Sequence, residues 1–146
     1  MRDVHVTVAA IVARDGKFLF VEEEVGSRTV LNQPAGHWEA GETLVEAVVR
    51  EALEETGWEV EPTALLGVYS HRPPDLAYDF LRFAFIAEAR KHHAARKLDK
   101  GILRAVWLAP DELRREVPRH RSPLVQRCVD DFLAGRKHPL AALAHY

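Results

Sequence analysis

The sequence has very little cysteine, no long apolar run and almost no net charge, and each shortage excludes a class of protein. Its single cysteine, Cys128, has no partner for an internal disulfide or a thiolate metal site. No run of about 18 apolar residues is present, so we expect no association with a membrane through a spanning helix. Twenty Lys and Arg against 22 Asp and Glu leave a formal charge of −2, which disfavours a binder of nucleic acid polymers.

The N-terminal segment lacks the uninterrupted apolar stretch of a signal peptide, because Arg2, Asp3 and His5 break it. Together with the lone cysteine, this favours a cytoplasmic protein. Glycine and proline number only 8 each and 47% of the residues are hydrophobic, a composition typical of globular rather than disordered chains. The length of 146 residues predicts one domain over 1–146, acting as a monomer or homodimer.

The first half of the chain predicts a hairpin and then a helix. Apolar residues over Val4–Val12 favour a strand buried on both faces, and the Asp15-Gly16 turn joins it to a second strand over Lys17–Glu24. Thr43, followed three residues later by a glutamate, forms a capping box ahead of apolar positions at helical spacing. We therefore predict a helix over Leu44–Thr56, ended by a left-handed cap at Gly57.

The second half predicts three strands and two helices. The strands are Ala64–Ser70, Leu81–Ala89 and Leu103–Leu108, separated by loops at Arg72–Asp79 and Arg90–Lys100. A short helix opens at Ala109-Pro-Asp-Glu, and a C-terminal helix begins with a cap at Ser122, has Pro123 as its first residue and ends by Gly135. These elements predict an α/β (α+β) fold with a mixed β-sheet between α-helices.

Three acidic side chains share one face of the predicted helix. Glu51, Glu54 and Glu55 fall within an arc of about 100°, away from the apolar arc, and no Lys or Arg is expected on their face to offset the charge. A divalent cation would more than reverse their repulsion of roughly 0.2–0.5 kcal/mol per pair. Oxygen-only ligands favour Mg²⁺, with Mn²⁺ able to substitute, over Zn²⁺. The alternative is a solvated acidic face without function.

The loop ahead of this helix decides between those interpretations. The positions that match are Gly36, Glu42, Arg50, Glu51, Glu54, Glu55 and Gly57, in the spacing G-x5-E-x7-R-E-U-x-E-E-x-G-U. A chance match of all seven has a probability on the order of 10⁻⁶ to 10⁻⁵, which excludes the solvated face as the better explanation. This pattern resembles the signature of the Nudix hydrolase family. Ala52 and Trp58 depart from it in size but remain apolar.

The resemblance implies a Nudix fold and a role for each matching residue. Glu51, Glu54 and Glu55 would be catalytic and would bind divalent metal at a substrate diphosphate, helped by the backbone carbonyl of Ala35. Arg50 would orient the acids by a bidentate pair with Glu42, which lysine cannot reproduce. Gly36, Glu42 and Gly57 would support the motif structurally, and Glu51 would serve either metal binding or proton transfer.

Segments outside the motif resemble the NudJ-type phosphatases of the same family. They run from the first strand to the last helix: His5–Ala9, Leu31–His37, Glu42–Leu44, Leu81–Phe83, Arg121–Val125 and Pro139-Leu140. The resemblance implies release of phosphate from thiamin diphosphate, hydroxymethylpyrimidine diphosphate and nucleoside di- and triphosphates. Two alternatives stay open: a pyrophosphatase of ADP-ribose or another nucleoside diphosphate derivative, and a noncatalytic Nudix-fold module that binds ligand.

Several residues outside the motif are weaker candidates. We expect Trp38 to stack on a substrate ring and Gln33 to hydrogen-bond substrate, although Gln33 and Asn32 serve equally well as turn residues. Asp99 is either an extra carboxylate ligand or a solvated loop acid, and we leave it out of the site. Each of the remaining candidates is more typical of the core or the surface than of a binding site: Tyr69, Tyr78, Trp107, His71 and Arg72.

Overall fold

The protein, described over residues 1–146 by a computed structural model, has seven strands, three α-helices and two short 3₁₀ helices. The strands are β1 (Asp3–Arg14), β2 (Lys17–Val25), β3 (Arg28–Asn32), β4 (Ala35–His37), β5 (Trp58–His71), β6 (Tyr78–His92) and β7 (Ile102–Leu108). The α-helices are α1 (Leu44–Thr56), α2 (Pro110–Arg115) and α3 (Leu124–Leu133), and the 3₁₀ helices are Val117–Arg119 and Leu140–Ala142. None of these helices is both long and apolar enough to cross a membrane.

A mixed sheet forms the centre of the molecule, with strand order β3-β2-β1-β6-β5. β1 and β6 run parallel from Asp3 opposite Tyr78 to Val12 opposite Ala87, and the other pairs are antiparallel. β4 pairs with β1, and β7 pairs with β2. The predicted mixed sheet between helices is therefore confirmed.

Two apolar clusters fix the helices on opposite faces of this sheet. Alternate side chains of β1 point to opposite faces, so Val8 packs with Val48 of α1 while Ile11 packs with Cys128 of α3. Leu113 of α2 joins the second cluster and is fully buried. As a result, α1 is the one α-helix on its face, which it shares with the 3₁₀ helix Leu140–Ala142, and its polar side points away from the cluster.

The helix prediction at the motif is confirmed at both ends. α1 runs from Leu44 to Thr56, and the Thr43 hydroxyl accepts the Glu46 backbone N–H at 3.0 Å while the Glu46 carboxylate accepts the Thr43 N–H at 2.8 Å. Gly57 adopts φ 75° and donates its N–H to the Leu53 carbonyl. The hairpin through Asp15-Gly16 is also confirmed, with positive φ at both turn residues.

Strand bounds in the second half of the sequence were predicted less well. β5 begins at Trp58 rather than Ala64, and β6 spans Tyr78–His92 rather than Leu81–Ala89, which shortens both predicted loops. The start of β5 was not predicted because Pro62 is atypical of a strand. β5 is an edge strand, where a missing N–H is tolerated, and its register shifts beside Pro62. In α3, Pro123 is the N-cap and Leu124 the first helical residue.

Candidate active site

The site is built on α1 and the short strand β4 that faces it. Gly36 of β4 has no side chain where the carboxyl group of Glu51 lies: a Cβ atom there would stand 2.1 Å from Glu51 Cδ. Gly57, at the C-terminal end of the helix, would bring a Cβ to 3.0 Å from the His93 carbonyl oxygen. The two glycines of the motif therefore permit two close approaches, of β4 to the Glu51 side chain and of the helix end to the backbone of His93.

Arg50 makes the predicted bidentate pair with Glu42. Its Nε donates to Glu42 Oε2 at 3.0 Å and its Nη2 donates to Oε1 at 2.8 Å. The hydrogen bond from Arg50 is the main reason that the pKa of Glu42 is lowered. Both carboxylate oxygens of Glu42 are thus engaged, which agrees with a supporting rather than a catalytic role.

Arg50 also reaches the acidic face, which corrects one expectation. Its Nη1 donates to Glu51 Oε1 at 2.8 Å and lies 3.4 Å from Glu54 Oε2, while Nη2 also donates to the His37 carbonyl. The sequence had predicted no cation on this face, because Arg50 itself sits on the adjoining side of the helix. Its long side chain spans that separation, and the guanidinium joins the motif loop to two of the acids.

Burial changes the protonation of two carboxyl groups. Glu51 is 8% exposed, and this burial raises its pKa, against the opposing effect of Arg50. Burial raises the pKa of Glu55 to about 8, although the Ala35 N–H donates to Glu55 Oε1 at 2.9 Å and acts in the opposite direction. The charge of Glu51 raises the pKa of Glu55 further. Both groups therefore hold a proton more strongly than an exposed carboxyl.

The acids that converge most closely are not the three predicted from the helix alone. Carboxylate oxygens of Glu51, Glu54 and Asp99 lie within 4.8 Å of one another, whereas Glu55 turns toward the backbone of Ala35. Asp99 comes from the loop before β7, and its backbone N–H donates to the Glu54 carbonyl at 3.0 Å. The side chain that we left out of the predicted site is thus part of the cluster.

This donor set suits a divalent cation. All three side chains supply carboxylate oxygen, the ligand type preferred by hard cations, and their spacing lets one ion contact all of them. Without a cation, three carboxylates at this separation repel one another, and only Arg50 offsets them. The cluster is therefore able to hold a metal ion, and Asp99 is needed to complete it.

Gln33 corrects a second expectation. Its side chain is 1% exposed, and both ends of its amide are used inside the protein. Nε2 donates to the Val125 carbonyl at 2.8 Å, and Oε1 accepts from Arg82 Nη1 at 3.0 Å. The structure contradicts the prediction that Gln33 binds substrate, because the amide is buried and both its nitrogen and its oxygen are bonded within the protein. Asn32 likewise accepts from Arg82, at 3.0 Å.

The aromatic candidates divide by exposure. Trp38 is 43% exposed and anchors one edge of its ring by donating Nε1–H to the Glu42 carbonyl at 2.7 Å, close to the Arg50 pair. Tyr69 is buried and donates its hydroxyl to Asp131. Tyr78 stacks on His5 with ring centroids 3.9 Å apart, and Trp107 packs edge-on against Trp58. Of the four, Trp38 remains the prediction for a substrate ring.

His71 and Arg72 stay at the surface. Arg72 is exposed and pairs with Asp79 across the Pro-Pro loop, with Nη2 2.9 Å from Asp79 Oδ2. This pair holds the ends of the loop together and provides a structural role for Arg72.

A profile of the family described as the NUDIX domain matches residues 1–128, which include the whole motif and the acid cluster. This chain belongs to the Nudix family. It is a Nudix hydrolase, an enzyme that acts on phosphorus-containing anhydrides.

Individual relatives support the same assignment over nearly the full chain. The chain is 38% identical over 142 residues to "Phosphatase NudJ" of Escherichia coli K12, covering 97% of this chain and 92% of that protein. A Nudix hydrolase from Nitrosomonas europaea has a similar structure, with a TM-score of 0.96 and 43% identity over 99% of this chain and 98% of its own. An ADP-ribose pyrophosphatase from Streptococcus suis, at 14% identity and TM-score 0.67, covers 90% of this chain and 92% of its own and shares the fold.

Proposed function

We propose that this Nudix hydrolase is a Mg²⁺-dependent phosphatase of the NudJ type that acts on small-molecule diphosphates. The expected substrates are thiamin diphosphate, hydroxymethylpyrimidine diphosphate and nucleoside di- and triphosphates. The observation that carries the proposal is the convergence of the Glu51, Glu54 and Asp99 carboxylates within 4.8 Å beside the Arg50 fork. The similarity to the E. coli phosphatase over 97% of the chain supports the substrate class.

In this proposal the acids of α1 and Asp99 hold Mg²⁺, or Mn²⁺ in its place. When bound, the ion supplies charge stabilisation to the phosphoryl group that is transferred. Glu51, Glu54 and Asp99 form the converging set, and Glu55 with the Ala35 carbonyl completes the ligands on the β4 side. Arg50 positions Glu51 and Glu54 and fixes the loop through Glu42. Gly36 leaves room for the Glu51 carboxyl group, and Gly57 ends the helix.

Removal of the attacking water's proton falls to a carboxylate of this site. Glu51 serves either metal binding or proton transfer, and Glu55 is the motif acid that lies outside the converging set of Glu51, Glu54 and Asp99. We therefore take Glu51 and Glu55 as the two candidates for the base. The pH–rate profiles of Glu51→Gln and Glu55→Gln distinguish them, because loss of the base removes the acidic limb of the profile.

Released orthophosphate tests the proposed activity against its main rival. A panel of thiamin diphosphate, hydroxymethylpyrimidine diphosphate, nucleoside diphosphates and ADP-ribose is incubated with the protein and Mg²⁺. A phosphatase yields orthophosphate and the organic monophosphate, whereas a pyrophosphatase splits ADP-ribose into two organic monophosphates without orthophosphate. EDTA is expected to abolish turnover, and excess Mg²⁺ or Mn²⁺ to restore it. Full activity after exhaustive metal removal contradicts the proposal.

A noncatalytic binding module is the alternative of a different class. Such a module has no need of the complete set of acids, and the intact Glu51, Glu54 and Glu55 therefore argue against it. Within the proposal, residues 1–146 act as one catalytic domain on a small-molecule substrate, in the cytoplasm. Tight binding of a diphosphate with no turnover of any member of the panel would favour the module instead.

A further inference from the structure

Arg121 lies at the free edge of β3, between 3₁₀ helix Val117–Arg119 and α3. Its backbone N–H donates to the Leu31 carbonyl at 2.9 Å, and the preceding residue, His120, forms a parallel bridge with Leu31. The hydroxyl of the next residue, Ser122, accepts the Leu124 N–H just ahead of α3. The backbone of Arg121 is therefore held on both sides, while its side chain is 43% exposed.

The side chain of Arg121 points to the face of the sheet that carries α1. Leu31 packs in the cluster on the α3 side, and His120, its bridge partner, hydrogen-bonds the Leu113 carbonyl on that same side. In β2, Glu22 lies opposite Leu31 and Glu23 is the next residue along the strand, so the Glu23 side chain points to the opposite face. The ion pair between Arg121 Nη1 and Glu23 places the guanidinium on that face.

Backbone contacts place this ion pair next to the loop that carries Asp99. Glu23 lies opposite Ile102 of β7, and the Glu24 N–H donates to the Gly101 carbonyl at 2.9 Å. Both partners follow Asp99 closely in the chain, and the Asp99 carboxylate belongs to the acid cluster. In agreement with this position, the charge of Glu23 adds to the effect of burial, which is the main reason that the pKa of Glu55 is raised.

A bound diphosphate needs a cationic side chain other than Arg50. Arg50 is already bonded to Glu42, Glu51, Glu54 and the His37 carbonyl, so it has little donor capacity left for a substrate. A diphosphate carries several negative charges and would enter a site rich in carboxylates. Arg121 bonds within the protein through Nη1 alone, which leaves Nε and Nη2 available to a phosphate oxygen.

We infer that Arg121 is a substrate-binding residue of this hydrolase, whose guanidinium leaves Glu23 and pairs with a phosphate oxygen of the bound diphosphate. The inference rests on the proposed function for its ligand class, and it adds the residue that holds the diphosphate from the β3 side. Glu23 competes with the substrate for Arg121. It holds the guanidinium on the α1 face of the sheet when no substrate is bound, and a phosphate, with its greater charge, offers the same fork a bidentate partner.

The chain offers a matched control two residues away. Arg119 pairs with Glu22 at 3.2 Å, so consecutive glutamates of β2 pair with two arginines of one short segment, on opposite faces of the sheet. Arg119→Gln removes an ion pair of similar kind on the α3 side, away from the acids. Arg121→Lys keeps the positive charge but loses the fork.

Binding of methylenediphosphonate, a diphosphate analogue with a nonhydrolysable bridge, tests the inference without turnover. Calorimetric titration in Mg²⁺ is expected to give a Kd raised on the order of tenfold or more in Arg121→Gln, since one charge-assisted contact is lost. Arg121→Lys is expected to fall between, and Arg119→Gln to remain within about twofold of the wild type. Melting temperatures verify that each variant is folded.

Glu23→Gln gives a result of opposite sign. Freed from its competitor, Arg121 is expected to bind methylenediphosphonate more tightly than in the wild type. In the Arg121→Gln background the same change is expected to have a smaller effect. An equal gain in affinity in the wild type and in Arg121→Gln would mean that Glu23 simply repels the ligand. This result would contradict a competition between Glu23 and the phosphate for Arg121.

An unchanged Kd in Arg121→Gln overturns the inference, as does a wild-type protein that does not bind the analogue. Neither result touches the proposed function, which is judged by orthophosphate release from true substrates. Conversely, a protein that hydrolyses no diphosphate but binds the analogue through Arg121 contradicts the proposed function and upholds the inference. If Arg121→Gln does not fold, Arg121→Lys carries the comparison alone.

Discussion

The backbone N–H of Asp99 donates to the backbone carbonyl of Glu54 at 3.0 Å, so the loop before β7 is anchored on the last turn of α1. A second bond, from the His93 N–H to the Gly57 carbonyl at 2.8 Å, anchors the start of the same loop. Carbonyls at the end of a helix lack partners within the helix, and here the loop supplies them. This anchoring brings the Asp99 carboxylate to Glu51 and Glu54.

Asp99→Asn is therefore expected to lower turnover by about tenfold or more and to raise the Mg²⁺ concentration needed for half-maximal rate. The amide retains the backbone bond to Glu54 but removes one charged ligand. Glu54→Gln is expected to cost about a hundredfold or more, as a member of the motif itself. Asp111→Asn, at an exposed position of α2, serves as the control. Wild-type metal dependence in Asp99→Asn would mean that the loop acid is merely solvated.

The sequence predicted the parts of the site that depend on local pattern. The bounds of α1 follow from the capping box at Thr43 and the left-handed glycine at Gly57, and both signals lie within the helix ends themselves. The Arg50–Glu42 pair likewise joins residues of one short motif. These elements needed no knowledge of the rest of the chain.

The features that the sequence did not predict correctly depend on contacts between residues far apart in the chain. Asp99 joins Glu54 only because the loop packs on the helix end, and nothing in its local sequence distinguishes it from a solvated acid. Gln33 is buried by α3, which lies about ninety residues later in the chain and provides the Val125 carbonyl. β3 and β4, at five and three residues, are too short to show a periodic pattern.

Gly36→Ala is expected to inactivate the enzyme with little loss of stability. The added Cβ would stand 2.1 Å from Glu51 Cδ, and the flexible end of that side chain is what has to move. Turnover is expected to fall about a hundredfold, because Glu51 leaves the cluster, while the melting temperature changes by only a few degrees. Gly26→Ala is the contrasting variant: its Cβ meets no neighbour within 4 Å but its φ is positive, so backbone strain is expected to lower the melting temperature without changing turnover. A large drop in the melting temperature of Gly36→Ala would mean that the whole fold is destabilised, and would contradict a change confined to the Glu51 side chain.

Arg50→Lys is expected to reduce both activity and stability. Lysine keeps the charge but cannot engage both oxygens of Glu42 while also reaching Glu51. Glu42→Gln should add little to Arg50→Lys, since the two changes break one interaction. Thermal unfolding of the single and double variants measures the coupling. Fully additive losses would assign the two side chains to separate roles.

The metal-free protein is expected to lose stability as the pH rises. The pKa of Glu55 lies at about 8 in the folded protein, against 4.5 for an ordinary carboxyl, and burial is the main cause. Between these values the folded state binds more protons than the unfolded state, so the free energy of unfolding falls with increasing pH. The stabilising proton is fully present below about pH 4.5 and is lost through about pH 8.

Melting temperatures measured in EDTA from about pH 5 to about pH 8 test this slope. Glu55→Gln, which has no proton to lose, should flatten it. Saturating Mg²⁺ should oppose it, because a bound cation favours the ionised carboxylate. If the melting temperature depends on pH in the same way in Glu55→Gln, a group other than Glu55 causes the dependence.

The phosphorus that is attacked separates the proposed phosphatase from its rival most directly. Reaction of thiamin diphosphate in water enriched in oxygen-18 is expected to place the label in orthophosphate, because a phosphatase directs water to the terminal phosphorus. Attack at the inner phosphorus would release the same two products but would place the label in thiamin monophosphate, so product identity alone does not decide the question.

The choice of phosphorus would fall to groups that hold the organic end of the substrate, because a metal ion held by the acid cluster would contact only the phosphates. Trp38 is an exposed ring beside the motif loop, and its Nε1–H donates to the Glu42 carbonyl at 2.7 Å. Trp38→Ala is therefore expected to weaken binding of a heteroaromatic diphosphate by about 1–3 kcal/mol, by analogy with base stacking, and to leave inorganic diphosphate nearly unaffected. Equal losses for the two ligands would assign Trp38 to the packing of the motif loop, and rapid cleavage of ADP-ribose beside no turnover of thiamin compounds would favour the pyrophosphatase.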